Sequence, residues 1–189
     1  MKLKITDKVK RTRTIEGQTF DVINGYANIA DLHFWDENPR IYSLLDDERL
    51  ENVINKDLIY SKMILHHDFD SLKTDIREDG QINDAIWVSL NAKTKNYTVY
   101  EGNTRLAVAI QLSENDTKKD RQKWTKIHVN VLPDNTSEKI IKRLIGLIHL
   151  KGVNQWEPFE ADGYYYRETM DAKADGLSLK EAFAKVSKN

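Results

Sequence analysis

Five consecutive residues, Glu101-Gly102-Asn103-Thr104-Arg105, stand between an extended apolar segment and a helical one. A glycine at such a corner permits a tight backbone turn and the close approach of a ligand. The residues after it donate backbone N–H groups from the first turn of a helix, where they have no intrahelical acceptor. A helix terminus of this kind favours phosphates. The pattern therefore predicts an anion site.

The side chains of this loop also suit a phosphate ligand. Asn103 and Thr104 offer side-chain donors, and Arg105 offers a planar guanidinium that matches phosphate oxygens. Glu101 can act as a general base or hold a metal ion. The alternative is an ordinary helix start with an arginine on the protein surface.

The periodicity of apolar residues predicts the elements that must hold this loop. Strands are predicted over 85–90, 97–100 and 124–132, and turns at Gly17 and at Asn24-Gly25 separate extended segments near the N-terminus. The predicted helices cover 46–60 with Asp46 or Asp47 as the cap, 68–79 ended by Gly80, 106–112, 137–150, 158–173 and 176–189.

These elements predict an α+β fold in which a small mixed sheet with helices is followed by a helical C-terminal tail. Three regions are expected. They are an extended or hairpin segment over 1–30, a core over 31–135 and a helical region over 136–189.

Composition limits the possible classes of protein. The chain of 189 residues contains no cysteine, which excludes disulfides, a thiolate nucleophile and cysteine-ligated metal sites. No window reaches the roughly 18 apolar residues of a membrane span, and no apolar run follows the basic N-terminus, so a cytoplasmic protein is expected. The net charge of −1 means that any contact with DNA must come from local basic clusters, at Lys2 to Arg13 and around 118–123.

The order of the blocks resembles the ParB/sulfiredoxin superfamily over roughly residues 30–165. The matching blocks follow one another along the chain. They are the turn Asn38-Pro39-Arg40, the helix and glycine at 72–81, the strand Ile86-Trp87-Val88, the strand, loop and helix at 97–107, and the strand at 127–131.

This resemblance implies a nucleoside triphosphate, ATP or CTP, bound with magnesium. Gly102, Asn103, Thr104 and Arg105 would form the phosphate loop, and Glu101 would occupy an acidic position that some relatives use catalytically. The turn would direct Arg40 inward, and Gly80 and Gln81 join the candidate nucleotide-binding residues. DNA is the implied second partner, and a homodimer is compatible with the family.

The sequence also departs from the family pattern. The Glu-Asn-x-x-Arg block of ParB clamps is missing, and so is the catalytic cysteine of sulfiredoxin. His149 and Lys151 stand where the clamp block would be, and they can supply a ligand and a phosphate contact or simply end a helix. His66-His67-Asp68 is a candidate ligand group, for which a capping and surface role is preferred.

Three functions remain open from the sequence. The first is a ParB-like nucleotide-binding domain that acts with DNA. The second is a small ATP-dependent, kinase-like or nuclease-like enzyme with Glu101 as base or metal ligand, and the third is a docking module without turnover. Residues 176–189 are similar to the first helix of a helix-turn-helix, so either the chain is a piece of a longer protein or that DNA reader is absent.

Overall fold

The computed structural model describes residues 3–15, 17–45, 51, 53–151 and 157–187. Six strands form one sheet. They are β1 (Ile5–Ile15), β2 (Gln18–Asn28), β3 (Leu32–Phe34), β4 (Ile86–Leu90), β5 (Tyr97–Glu101) and β6 (Lys126–Val131). Their spatial order is β1-β2-β6-β4-β5-β3. Parallel pairs join β4 to β6 and β3 to β5, and the other pairs are antiparallel, so the predicted mixed sheet and α+β class are confirmed.

Except for the first, the helices begin and end within about three residues of the predicted positions. They are α1 (Lys56–Met63), α2 (Phe69–Asp79), α3 (Asn103–Asn115), α4 (Glu138–Lys151), α5 (Pro158–Ala174) and α6 (Leu179–Ser187), with a single helical turn at Lys118–Arg121. Gly80 ends α2 in the left-handed conformation, as predicted. The predicted capping box at Ser178 and Glu181 is also present at the start of α6.

The helix predicted over 46–60 begins later than expected. Asn55 caps α1, because its side chain accepts a hydrogen bond of 2.9 Å from the backbone N–H of Leu58. The predicted caps, Asp46 and Asp47, lie outside the described residues.

The turn predicted at Asn24-Gly25 is wrong, because both residues lie inside β2. A Cβ on Gly25 would lie 2.5 Å from the backbone oxygen of Thr6 in β1. This glycine is therefore required by the close approach of two strands, and the hairpin turns instead at Gly17, where φ is +75°.

The hydrophobic core lies between one face of the sheet and helices α1, α2 and α3. In β6, the buried Ile127, Val129 and Val131 alternate with polar residues, which is the pattern of a strand covered on one face. Helix α3 lies against β4 and β6 and buries most of its first ten residues. Complete burial of a side chain such as Leu106 contributes about 1.5–3 kcal/mol, so the start of α3 is held firmly.

The chain divides into two compact units, Met1–Ile141 and Lys142–Asn189. The first unit contains all six strands, and therefore both the N-terminal segment predicted over 1–30 and the core predicted over 31–135. In the second unit, α5 and α6 contact each other. Within the described ranges, no helix is both long and apolar enough to cross a bilayer.

Candidate functional site

The predicted loop forms the corner between β5 and α3. Strand β5 ends at Glu101, Gly102 is the N-cap with φ +88°, and α3 begins at Asn103. The backbone N–H of Leu106 donates to the carbonyl oxygen of Gly102 at 2.9 Å, which closes the first turn of the helix. Among the described residues, no side chain caps this terminus. The first-turn amides of α3 therefore keep the positive end of the helix dipole at the corner.

Gly102 is required by packing as well as by its backbone conformation. A Cβ at this position would lie 2.3 Å from Cγ2 of Ile86 in β4, far inside van der Waals contact. The sequence suggested that the glycine allows a ligand to approach. The group that approaches in the structure is a side chain of the neighbouring strand, so the glycine alone is no evidence for a ligand.

Asn103 joins the corner to the end of β3. Its side-chain oxygen accepts a hydrogen bond from the backbone N–H of Trp35 at 3.0 Å, and its side-chain nitrogen donates to the carbonyl oxygen of Val99 at 2.8 Å. The side chain is buried. Its amide is thus committed to the fold on both sides, and the predicted role as a phosphate donor has no geometric support.

Thr104 and Arg40 meet at the corner from opposite parts of the sequence. Nη1 of Arg40 donates to Oγ1 of Thr104 at 3.2 Å. The side chain of Asn38 accepts from the backbone N–H of Arg40 at 3.0 Å and so stabilises the turn that carries the arginine. Nε of Arg40 is buried and has no hydrogen-bond partner in the part of the chain that the structure describes. The inward direction predicted for Arg40 is confirmed.

Arg105 is paired with acidic groups. Its Nη2 donates to both carboxylate oxygens of Glu101 at 2.6 Å, and its Nη1 lies 3.6 Å from Oδ2 of Asp84. The side chains of Glu101 and Arg105 are only 10% and 13% exposed, so little water screens the pair. A phosphate must therefore compete with Glu101 for this guanidinium.

Gly80 and Gln81 make no described contact with this group. Gly80 is the C-cap of α2, and among the described residues no atom lies within 4 Å of where its Cβ would be. Gln81 donates to the side chain of Asn83 at 2.7 Å within its own exposed loop. His149 is buried in the second compact unit, and the side chain of Lys151 lies outside the described residues.

Sequence reasoning missed a polar cluster on the face of the sheet opposite to the buried face of β6. Asn24 donates to the side-chain oxygen of Asn130 at 2.8 Å, and its own oxygen lies 2.8 Å from Nε2 of His128, whose ring stacks on Tyr26. Burial, followed by the positive charge of Arg11, lowers the pKa of His128. The alternation of polar and apolar residues in β6 is the sequence feature from which this cluster could have been predicted.

Comparison of the chain with models of known protein families gave no match, and no curated protein or solved structure was significantly similar to it. The resemblance to the ParB/sulfiredoxin superfamily therefore stays a prediction.

Proposed function

We propose that this protein binds a nucleotide by its phosphates at the N-terminus of α3, between Arg40 and Arg105, and that DNA is its second partner. The observation that carries the proposal is the position of Arg40, which reaches Thr104 with a buried Nε that has no partner among the described residues. A buried donor without a partner costs free energy, and a phosphate oxygen would supply the missing acceptor.

Charge supports an anion at this corner. The first-turn amides of α3 provide a partial positive charge, and the guanidinium of Arg40 adds a full charge that no ion pair of the described residues compensates. Arginine is suited to phosphate because its planar fork can donate two parallel hydrogen bonds. Thr104 lies between these donors and adds a hydroxyl group.

Magnesium fits the acidic groups at the corner. Mg²⁺ in nucleotide sites is typically held by one or two carboxylates together with the phosphates of the ligand, and Glu101 and Asp84 are the two carboxylates beside Arg105. When bound, the ion would neutralise phosphate charge. Both carboxylate oxygens of Glu101 accept hydrogen bonds from Arg105, so the proposal is one of binding, and turnover remains a prediction from the resemblance.

The nucleotide proposal is tested by calorimetric titration of the chain with ATP, CTP and GTP, each with magnesium. We expect one of them to bind, and we expect Arg40→Gln to weaken its affinity at least tenfold, which corresponds to about 1.4 kcal/mol for one charge-assisted contact. Arg40 is a better test than Arg105, because removing Arg105 leaves Glu101 buried without its cation and destabilises the fold as well.

Arg77→Gln is the matched control. Arg77 is half exposed on α2 and pairs with Asp116, away from the corner, so its loss should leave nucleotide affinity unchanged. If none of the three nucleotides binds, or if both variants bind as well as the native chain, the corner is not a phosphate site.

A further inference from the structure

The turn between α1 and α2 brings three metal-ligating side chains together. His66, His67 and Asp68 are consecutive, and one ligand atom from each lies within 4.8 Å of the other two. The turn is fixed on both sides, because the backbone N–H of His66 donates to Met63 and that of Phe69 donates to His66. Met63 and Phe69 are buried in the core, so the three side chains project from a well-anchored segment.

The separations of these atoms are close to those of ligands around one ion. Nε2 of His67 lies 3.0 Å from Oδ1 of Asp68, and Nδ1 of His66 lies 3.8 Å from Oδ2 of the same carboxylate. Metal bonds to imidazole nitrogen and carboxylate oxygen are about 2.0–2.2 Å long, which places neighbouring ligand atoms roughly 3.0–3.6 Å apart. The 3.0 Å separation lies within this range, and the 3.8 Å separation lies just above it.

The capping role preferred from the sequence does not explain the position of the carboxylate. Asp68 is the N-cap of α2, but in the described part of the chain its side chain makes no capping hydrogen bond. Its backbone is helical, with φ −80° and ψ −9°, whereas capping residues are usually extended. The carboxylate lies instead against the two imidazole rings.

An ion pair alone is a weak reason for this arrangement. The side chains of His67 and Asp68 are 63% and 52% exposed, and exposed pairs contribute little to stability. The ring of His66 is only 8% exposed, so packing already fixes its orientation, and its Nδ1 accepts a long hydrogen bond of 3.4 Å from the backbone N–H of Asp68. A metal bound at Nδ1 would replace this long hydrogen bond, because both use the same lone pair.

We propose that His66, His67 and Asp68 form a binding site for a divalent transition-metal ion of the zinc class. Two imidazoles and one carboxylate favour zinc and its neighbours over magnesium or calcium, which prefer oxygen ligands. Since two of the three side chains are exposed, solvent can fill the remaining coordination positions. The site uses none of the residues of the nucleotide proposal, and each can fail without the other.

The test is a competition titration of the untagged full chain with Zn²⁺ and a chromophoric chelator. We expect one ion per chain, and at least a tenfold loss of affinity in His67→Gln and in Asp68→Asn. Asp70→Asn is the matched control, because Asp70 is an exposed carboxylate in the first turn of the same helix and lies outside the group. The affinity of the Asp70→Asn variant for zinc should equal that of the native chain.

Replacement of Zn²⁺ by Co²⁺ gives a second readout, because visible absorption bands of the bound ion report its ligands. These bands should change in His67→Gln and stay the same in Asp70→Asn. If the native chain shows no zinc binding at micromolar concentrations, or if His67→Gln and Asp68→Asn both retain native affinity, the proposal is overturned. Circular dichroism of each variant verifies that the exposed substitutions leave the fold intact.

Discussion

At the scale of single residues, Gly102 shows how one sequence feature can serve two different purposes. A glycine before a helix is expected where a ligand approaches the backbone, and equally where the backbone itself is crowded or has a positive φ. Here the crowding atom is Cγ2 of Ile86, and φ is +88°. The candidate phosphate site therefore depends on Arg40 and on the terminus of α3, and Gly102 contributes by allowing β4 and the corner to pack closely.

Gly102→Ala should destabilise the fold much more than Gly80→Ala. Both positions have positive φ, which costs an L-residue about 1–2 kcal/mol, but only position 102 adds overpacking of about 1–3 kcal/mol. We expect the free energy of unfolding to fall by about 1–2 kcal/mol at 80 and by about 2–5 kcal/mol at 102. Urea denaturation of the two variants measures both values. Equal losses would contradict the packing role assigned to Ile86.

At the scale of secondary-structure elements, the sequence predicted features that depend on neighbouring residues much better than contacts between distant residues. The corner at 101–105, the end of α2 at Gly80 and the capping box at Ser178 were all predicted, because each depends on residues within one or two turns of each other. Within the site, the sequence indicated that Arg40 points inward but could not name its acceptor, which is 64 positions away.

The same limit explains why the partners of Asn103 and Arg105 were not predicted. Their side chains suit a phosphate in isolation, but the fold supplies other partners, namely Trp35 and Val99 for Asn103 and Glu101 for Arg105. The spacing of residues along the sequence does not predict which backbone groups a given side chain will contact. The pairing of β2 with β6, which creates the polar cluster around Asn24, is hidden from the sequence for the same reason.

That pairing predicts a pH dependence of stability. The pKa of His128 is lowered by burial and by Arg11, so the unfolded chain takes up a proton at this histidine at a higher pH than the folded chain does. The free energy of unfolding should therefore fall as the pH drops below about 6.5, and the loss should level off below the pKa of the folded state. His33, whose pKa is lowered by burial and by Lys56, contributes in the same direction.

Urea denaturation at pH 7.5 and at pH 5.0 measures this effect. The native chain should be less stable at pH 5.0, and the difference should be smaller in His128→Gln, which can keep the hydrogen bond to Asn24. An identical pH difference in the two proteins would show that protonation of His128 does not oppose folding.

At the scale of the whole molecule, charge is unevenly distributed. The chain has 29 basic and 30 acidic side chains, but β1 carries Lys8, Lys10, Arg11 and Arg13, all exposed. Residues 18–21 of β2 pair with β1 and not with β6, and all but the half-buried Phe20 are exposed, so this end of the hairpin is a two-stranded ribbon. A ribbon of this width can enter the major groove of DNA, which makes it the surface best suited to the proposed second partner.

Neutralising the ribbon should weaken DNA binding and reduce its dependence on salt. If Arg11 and Arg13 each contact a phosphate, the double change to Gln should flatten the slope of log affinity against log salt by about 2. Fluorescence anisotropy with a labelled duplex, at several salt concentrations, measures the slope. Arg77 and Lys93 are exposed and lie outside both basic clusters, so the double change of these two residues to Gln is the matched control. Equal slopes in both double variants would rule out the ribbon as the DNA contact.

The position of β1 in the sheet has a separate consequence for solubility. It forms one edge of the sheet and is 11 residues long, while the other edge, β3, has only three residues. A long edge strand offers unpaired backbone groups to another chain, and natural proteins oppose such aggregation with charges and bulges. Here the register shifts between Thr6 and Val9, and Asp7 has a positive φ, next to the four cations. Removing those charges would therefore expose a template for fibril growth at this edge.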